Sequence, residues 1–290
     1  MRKFFVTGGT GFIGREIVKR LENLGVCYIL TRKKKEDTKS RVYIQGSISN
    51  TEFIKRILDE IRPTDLVHLA WDVKAEDFAS SNVNGQWAKW SVALAQLFLK
   101  AGGKTIVAGG TCFEYDLSRE NILTEESQCW PSTFYGMAKL FTCLKIEELC
   151  RIFDARFVWG RIFYPYGPME ENRKFISNVI RTFKAGDCFT CKTPQNEVDY
   201  VHVEDVAGML YALVENTEAH GIYNVCTGNA TRIGEILTIL ADMTEVSGQI
   251  VWEKQEKTSR IVGDNRKIKE LGYQLKYNTF QDGIMTYFAR

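Results

Sequence analysis

Lys3-Phe4-Phe5-Val6-Thr7-Gly8-Gly9-Thr10-Gly11-Phe12-Ile13-Gly14 opens with a short apolar run and stops it on glycines. It then leads into Arg15 to Leu24, where Ile17, Val18 and Leu21 share one helical face. Strand, glycine turn and helix, in that order, are the context in which a glycine pattern reads as a dinucleotide-binding turn. The turn needs glycine where the backbone must pass close to a pyrophosphate. The helix start then offers unpaired N–H groups and a positive dipole end to the phosphates.

Working outward, strand-like runs recur at Val26 to Thr31, Arg41 to Gln45, Asp65 to Ala70, Lys104 to Ala108 and Ala155 to Phe163. Helical stretches such as Thr51 to Ile61 and Gln86 to Leu99 separate them. This alternation predicts an α/β fold, a doubly wound parallel sheet with helices on both faces. The loops after Thr7, Thr31, Ala70, Ala108 and Phe163 should line one crevice beyond the strands' carboxyl ends. From about Tyr166 the alternation weakens, so a first domain over 1–165 and a smaller lobe over 166–290 are expected. Segments near 200–207 and 222–226 should return to the sheet.

After the second strand, a site for NAD would place an Asp or Glu on the adenine ribose. Here Thr31-Arg32-Lys33-Lys34-Lys35 follows instead. A guanidinium can grip a 2′-phosphate by two charge-assisted hydrogen bonds, and a carboxylate would repel it. Arg32, with Thr31 as hydroxyl partner, therefore favours NADP(H) over NAD(H).

Composition narrows the classes. Of 290 residues 44% are apolar and 26% charged, with 38 basic against 36 acidic side chains. A net charge of +2 gives no support for a nucleic-acid surface. No run approaches the roughly 18 apolar residues of a membrane span, and the apolar start is too short for a signal peptide. A cytoplasmic chain without membrane or nucleic-acid partners is expected. Eight cysteines are scattered rather than arranged as a disulfide framework, and the pair Cys188/Cys191 reads as alternation along a strand. Three dispersed histidines make no metal cluster, so no metal is expected.

Tyr135-Gly136-Met137-Ala138-Lys139 places a phenol and an ammonium four apart, on one face of a helix that Pro131, Ser132 and Thr133 could start and cap. The neighbouring ammonium should lower the phenol's pKa and let Tyr135 move a proton near neutrality. Upstream, Val107-Ala108-Gly109-Gly110-Thr111 ends a strand at the same sheet edge, where the Thr111 hydroxyl could hold a substrate oxygen.

Together, Thr7 to Gly14, Thr111 and Tyr135-x-x-x-Lys139 resemble the extended short-chain dehydrogenase/reductase superfamily. More narrowly the chain resembles its NAD(P)-dependent nucleotide-sugar epimerase/dehydratase/ketoreductase family. Asp65 to Ala70, Arg161 to Pro168, Val198 to Ala207, Gly221 to Val225 and Leu271 to Tyr273 extend the likeness over essentially the whole chain. The resemblance implies a Rossmann-type first domain and a C-terminal lobe holding a nucleoside-diphosphate sugar. Tyr135 would be the acid/base, Lys139 would bind the nicotinamide ribose, and Thr111 would stand where the family has Ser or Thr. The cofactor would touch Gly8, Gly11, Phe12, Ile13, Gly14, Thr31, Arg32, Ser47, Leu69 and Ala70, besides Tyr135 and Lys139. Substrate contacts are expected from Thr111, Tyr164, Lys174 and Arg260, the last two as cations for the diphosphate. A homodimer through the helices near 86–99 and 135–153 is also implied.

Departures from the family pattern narrow the reaction. The family's 4,6-dehydratases carry Asp-Glu after the catalytic Thr, where this chain has Cys112 and Phe113. Glu114 is one position late, and on a strand-like segment that step faces the other way. The cysteine of C3/C5-epimerising members would fall at Phe113, and Met169 to Ile180 lacks their histidine. Cys112 is thus expected to be packed. Val198, Tyr164 and Ser47 replace the family's Arg, Asn and Asp. Leu69-Ala70-Trp71 and Gly110 to Tyr115 resemble a branch of 4-ketoreductases that make deoxysugars. The expected activity is NADPH-dependent reduction of a keto-sugar nucleotide, a 4-keto-6-deoxyhexose. The rivals are a 4-epimerase with tightly bound NAD, then a 4,6-dehydratase or a non-catalytic NADP(H) redox sensor.

Overall fold

The computed structural model describes residues 1–73, 77–119, 122–245 and 250–289. The first half alternates as its apolar runs dictate. In chain order come β1 (Arg2–Thr7), α1 (Phe12–Leu21), β2 (Gly25–Thr31), β3 (Arg41–Gln45) and α2 (Thr51–Ile61). They are followed by β4 (Asp65–His68), α3 (Val83–Lys100), β5 (Thr105–Thr111), α4 (Phe134–Ile152) and β6 (Arg156–Ile162). Short elements dominate the rest: β7 (Tyr164–Tyr166), α5 (Phe175–Lys184), β8 (Phe189–Cys191), β9 (Glu197–Val198) and β10 (Tyr200–His202). After α6 (Val203–Glu215) come β11 (Gly221–Val225), β12 (Thr231–Arg232), α7 (Ile233–Met243), β13 (Ile250–Trp252) and β14 (Arg260–Ile261). The helices α8 (Arg266–Glu270) and α9 (Phe280–Ile284) lie beyond.

Among the described residues the main sheet has seven strands in the order β11-β6-β5-β4-β1-β2-β3. Every neighbouring pair is parallel. The alternation of side chains assigns the two faces. Phe4 and Val6 of β1 enter one core with Ile17 and Leu21 of α1 and Val206 and Leu210 of α6. Phe5 enters the opposite core with Ile54 of α2, Leu94 and Phe98 of α3, and Ile146 of α4. Strand order reverses between β1 and β4, which opens the crevice of a doubly wound sheet beside the glycine turn.

The segment 222–226 runs through β11 at the sheet edge. The segment expected to return near 200–207 does not enter the sheet. Tyr200–His202 pairs with Tyr164–Tyr166 in a separate ribbon, and the chain then turns into α6. Sequence alternation could not tell these destinations apart, because a three-residue strand carries too little pattern.

The C-terminal lobe has its own core, where Ile176, Val179 and Phe183 of α5 meet Ile236, Leu237 and Leu240 of α7. Arg15 ties the lobes by donating to the Pro168 carbonyl at 2.8 Å. Cys188 is exposed and Cys191 buried, opposite placements of the kind strand alternation gives. No helix among the described residues is long and apolar enough to cross a membrane.

Candidate active site

At the end of β1 the backbone turns through Gly8 with φ +73°. A Cβ there would lie 2.7 Å from the Leu69 carbonyl carbon and the Ala70 nitrogen, so the turn is pressed against the loop after β4. From the other side α1 leans on the turn: a Cβ on Gly14 would come 1.9 Å from the Gly8 oxygen. Gly11 closes the turn through its N–H to that same oxygen at 2.9 Å and begins α1. Gly8, Gly11, Phe12, Ile13 and Gly14 thus surround a helix start whose first turn holds no acidic residue, with Leu69 and Ala70 alongside. This cradle, which a Cβ would fill, fits a dinucleotide pyrophosphate. Thr31 ends β2 and accepts the Gly46 N–H at 2.9 Å, which sets Ser47 next to Thr31 and the exposed Arg32.

His68, the last residue of β4, braces this wall. Ser91 gives its proton to the Trp87 carbonyl at 2.7 Å, so it accepts from His68 Nε2 at 2.8 Å. The remaining ring nitrogen, Nδ1, then accepts from the Thr7 hydroxyl at 2.6 Å. Burial, helped by the charge of Lys139, pushes the imidazole pKa down to about 3, so His68 is a neutral brace.

Thr111 closes β5, and α4 begins beyond it with Thr133 as its cap, accepting the Gly136 N–H at 3.0 Å. Tyr135, in the first turn, brings its phenol toward the Thr111 hydroxyl, which acts to lower the phenol's pKa. One turn on, Lys139 donates to the Gly109 carbonyl at 2.7 Å and lies 4.1 Å from the centroid of the Trp71 ring. All three side chains are buried.

Burial reverses the expectation for the phenol. Desolvation raises the Tyr135 pKa, the Thr111 hydroxyl opposes this, and Glu114 and Cys112 add to it. The ammonium is the group that gives way: burial brings Lys139 down to about 7, against the attraction of Glu114. Sequence spacing saw the neighbours but not the dry pocket around them.

That pocket has aromatic walls from three separate segments. The rings of Trp71, Phe78 and Phe113 stand 6.2, 5.2 and 6.3 Å from that of Tyr135, each edge-on. Asn84 holds the covering segment, accepting from the Trp71 indole at 2.8 Å and donating to the Phe78 carbonyl at 2.6 Å. The Tyr135 N–H reaches the Ala79 carbonyl at 2.9 Å. Trp71, Phe78, Asn84 and His68 escaped the sequence reading as site residues. His68 and Trp71 lay in family-like segments without a role attached, and Phe78 was signalled by the density of aromatics between Trp71 and Trp90.

The expected substrate residues separate. Tyr164 stands beside Phe113 at 5.9 Å and Tyr200 at 5.6 Å. Lys174 reaches across from the start of α5, its amine 4.7 Å from the Phe78 ring and 3.4 Å from the Val73 carbonyl. Both therefore approach the wall around Tyr135. Arg260 is ion-paired with Glu197, which Arg232 also approaches at 3.3 Å, so its charge is engaged on the β9–β14 ribbon.

Cys112 is packed, and burial holds its thiol far above the ordinary range. Glu114 corrects the reasoning applied to it. Cys112–Glu114 is a single tight helical turn rather than a strand, and the carboxylate folds back onto the Thr111 N–H at 2.9 Å.

Comparison with known proteins gives the family and the fold. The chain is 24% identical to an ADP-L-glycero-D-manno-heptose-6-epimerase of Brachyspira hyodysenteriae, over 97% of its own length and 95% of that protein. It is 23% identical to a probable GDP-L-fucose synthase of Oryza sativa subsp. japonica, covering 98% and 90%. A solved UDP-glucose 4-epimerase of Thermotoga maritima, with UDP-glucose, shares the fold with a TM-score of 0.86 at 22% identity, covering 99% and 98%. So does a dTDP-glucose 4,6-dehydratase of Streptomyces venezuelae with NAD bound, with a TM-score of 0.86 at 22% identity, covering 97% and 94%. Matched from residue 4 to residue 226, the chain belongs to the NAD dependent epimerase/dehydratase family, as an enzyme of the extended short-chain dehydrogenase/reductase type.

Proposed function

We propose that the protein is an NADPH-dependent ketoreductase of a nucleoside-diphosphate sugar, acting on a 4-keto-6-deoxyhexose. The observation that carries this is the Thr111–Tyr135–Lys139 set, buried under aromatic side chains, with Cys112 and Phe113 at the two positions where elimination chemistry would want carboxylates. Phe113 faces Tyr135, and Glu114 is turned back into the protein.

With its pyrophosphate held by the turn of Gly8, Gly11 and Gly14, a reduced nicotinamide cofactor would supply hydride for a carbonyl carbon. Tyr135 donates its proton to the oxygen as charge develops there, and Thr111 orients that oxygen by hydrogen bonding. A phenol whose pKa is raised stays protonated at neutral pH, which suits an acid in the reducing direction. Lys139, near neutrality, is poised to return the proton. Tyr164 and Lys174 line the approach for the sugar and its diphosphate. The exposed Arg32 just after β2 supports NADP(H), since a guanidinium can grip a 2′-phosphate. The same reading makes the protein a homodimer through α3 and α4.

The test is NADPH oxidation, followed by its near-ultraviolet absorbance, against a panel of 4-keto-6-deoxy sugar nucleotides. Consumption with one nucleotide is expected. No consumption, with NAD retained by the purified protein, would replace the reductase by a 4-epimerase. Redox-dependent partner binding without turnover would point to a sensor.

A further inference from the structure

We propose that Glu114 is a positioning residue of the reaction: one buried carboxylate anchors the backbone of Thr111 and serves as the counter-charge of Lys139. This rests on the reading of Thr111, Tyr135 and Lys139 as the reacting set.

The carboxylate is fully buried and each oxygen is engaged. Oε1 accepts the Thr111 N–H at 2.9 Å and the Trp159 indole N–H at 3.0 Å. Oε2 accepts from Arg161 Nε at 2.9 Å and, more weakly shared, from the same indole at 3.1 Å. In return the Thr111 hydroxyl accepts the Phe113 N–H at 3.3 Å, so its own proton is left to point toward Tyr135. The residue before Thr111 is pressed against this assembly. A Cβ on Gly110 would lie 2.0 Å from the Trp159 nitrogen and 2.5 Å from Glu114 Oε1. The end of β5 is therefore seated on the carboxylate.

The same carboxylate answers the ammonium. Lys139 lies on the Gly109 carbonyl at 2.7 Å and 5.9 Å from the Trp159 ring centroid, whose N–H leads to Glu114. Among the described residues the ionisable groups around this pocket include Tyr135 and Cys143 from α4, His68 from β4, Cys112, Glu114 and Tyr115 from the turn after β5, Cys129 beyond it, and Arg161 from β6. The thiols of Cys129 and Cys143 and the Tyr115 phenol are kept neutral by burial. His68, Cys112 and Tyr135 are held in their neutral forms by burial, and Arg161 is bonded to Glu114. Among the described residues Glu114 is thus the negative charge that acts on Lys139, and it opposes the fall in the lysine's pKa that burial causes. A carboxylate bound only to Arg161 would hold the fold together; one that also seats Thr111 and faces Lys139 sets the geometry and charge of the chemistry.

The experiment needs no substrate in its first arm. With lysine labelled at its ε-carbon with carbon-13, the Lys139 resonance is assigned by its loss in Lys139→Met and titrated in the wild-type protein and in Glu114→Gln. The midpoint near 7 should move down by about one pH unit in Glu114→Gln. An unmoved midpoint in the folded variant overturns the counter-charge, whatever the substrate proves to be. The second arm uses Glu114→Asp, which keeps the charge but withdraws it from the Thr111 N–H. Turnover should fall by about tenfold or more while the Lys139 midpoint stays near the wild-type value. Wild-type turnover in Glu114→Asp overturns the anchoring role. If Glu114→Gln does not fold, Glu114→Asp still decides the anchoring role through its turnover. A melting temperature lowered without change in midpoint or turnover is the signature of a merely structural ion pair and also overturns the proposal.

Discussion

Tyr135 is pushed toward its neutral form by the rings of Trp71, Phe78 and Phe113, and Lys139 toward its own neutral form by the same dryness. Tyr135→Phe removes the donated proton and little else. Turnover should fall by about 10²–10⁴-fold, with cofactor affinity within about twofold of wild type by fluorescence titration. Lys139→Met should have opposite effects on activity and stability. The lysine's folded pKa is near 7 against an unfolded value of 10.5, so the folded state sheds its proton first as pH rises. Above 10.5 the amine is neutral in both states and its burial carries no electrostatic penalty. As pH falls toward 7 the penalty grows, and below 7 it is complete. Denaturation at pH 6 should therefore find Lys139→Met more stable, by a gain on the order of a few kcal/mol that shrinks as pH rises through that window. The Gly109 carbonyl, left without its donor, offsets part of this. A less stable variant at pH 6 would refute the assigned strain. The four-residue spacing of Tyr135 and Lys139 was legible in the sequence. The direction in which each titrates was not, because the rings that exclude water come from segments that sequence leaves far apart.

The strand, turn and helix from β1 to α1 form the element most fully readable from sequence, because Gly11 and Gly14 answer close approaches within the same dozen residues, whereas Gly8 answers the loop after β4. Gly14→Ala puts a methyl group where the Gly8 carbonyl stands, so α1 must shift from the turn. A loss of about 1–3 kcal/mol in stability is expected, with cofactor binding weakened by tenfold or more in calorimetry. A Gly14→Ala variant that binds normally would mean that the turn is not the cradle. Arg32→Glu, beyond the end of β2, should reverse the cofactor preference by at least about tenfold through repulsion of a 2′-phosphate, with no change in melting temperature. β5 shows where such reading stops. Its apolar run suggests an end at Ala108, yet the strand continues through Gly109 and Gly110 to Thr111. Those glycines resemble strand breakers in sequence. In the fold, Gly110 makes room for Trp159 and Glu114, which approach from β6 and from the turn that follows. The two- and three-residue strands of the C-terminal lobe were illegible for a simpler reason, since a period of two cannot be seen in so short a run.

At the scale of the whole molecule, α4, which carries Tyr135 and Lys139, also presents an uncovered apolar stripe. Met137, Phe141, Leu144 and Ile152 are 48%, 49%, 55% and 64% exposed along α4, while the opposite side of that helix, with Cys143 and Ile146, is fully buried. The spacing of the first three keeps them on one helical face, and α3 packs alongside α4. A second copy of this chain covering that stripe would need about 800 Å² per partner for a stable interface, an area that two helices of this length can supply. Tyr135 and Lys139 lie on α4 itself, so such a dimer would brace the helix that carries the chemistry without touching the crevice. Phe141→Lys combined with Leu144→Glu should convert a dimer to a monomer in sedimentation, with the far-ultraviolet circular dichroism unchanged. Turnover of the monomer should be lower than that of the dimer, and the wild-type protein should lose activity on dilution to the same degree. A wild-type protein that sediments as a monomer at all concentrations would remove the dimer. A monomeric double variant with full activity would keep the dimer but separate it from catalysis, leaving the stiffness of α4 to its packing on α3 and the sheet.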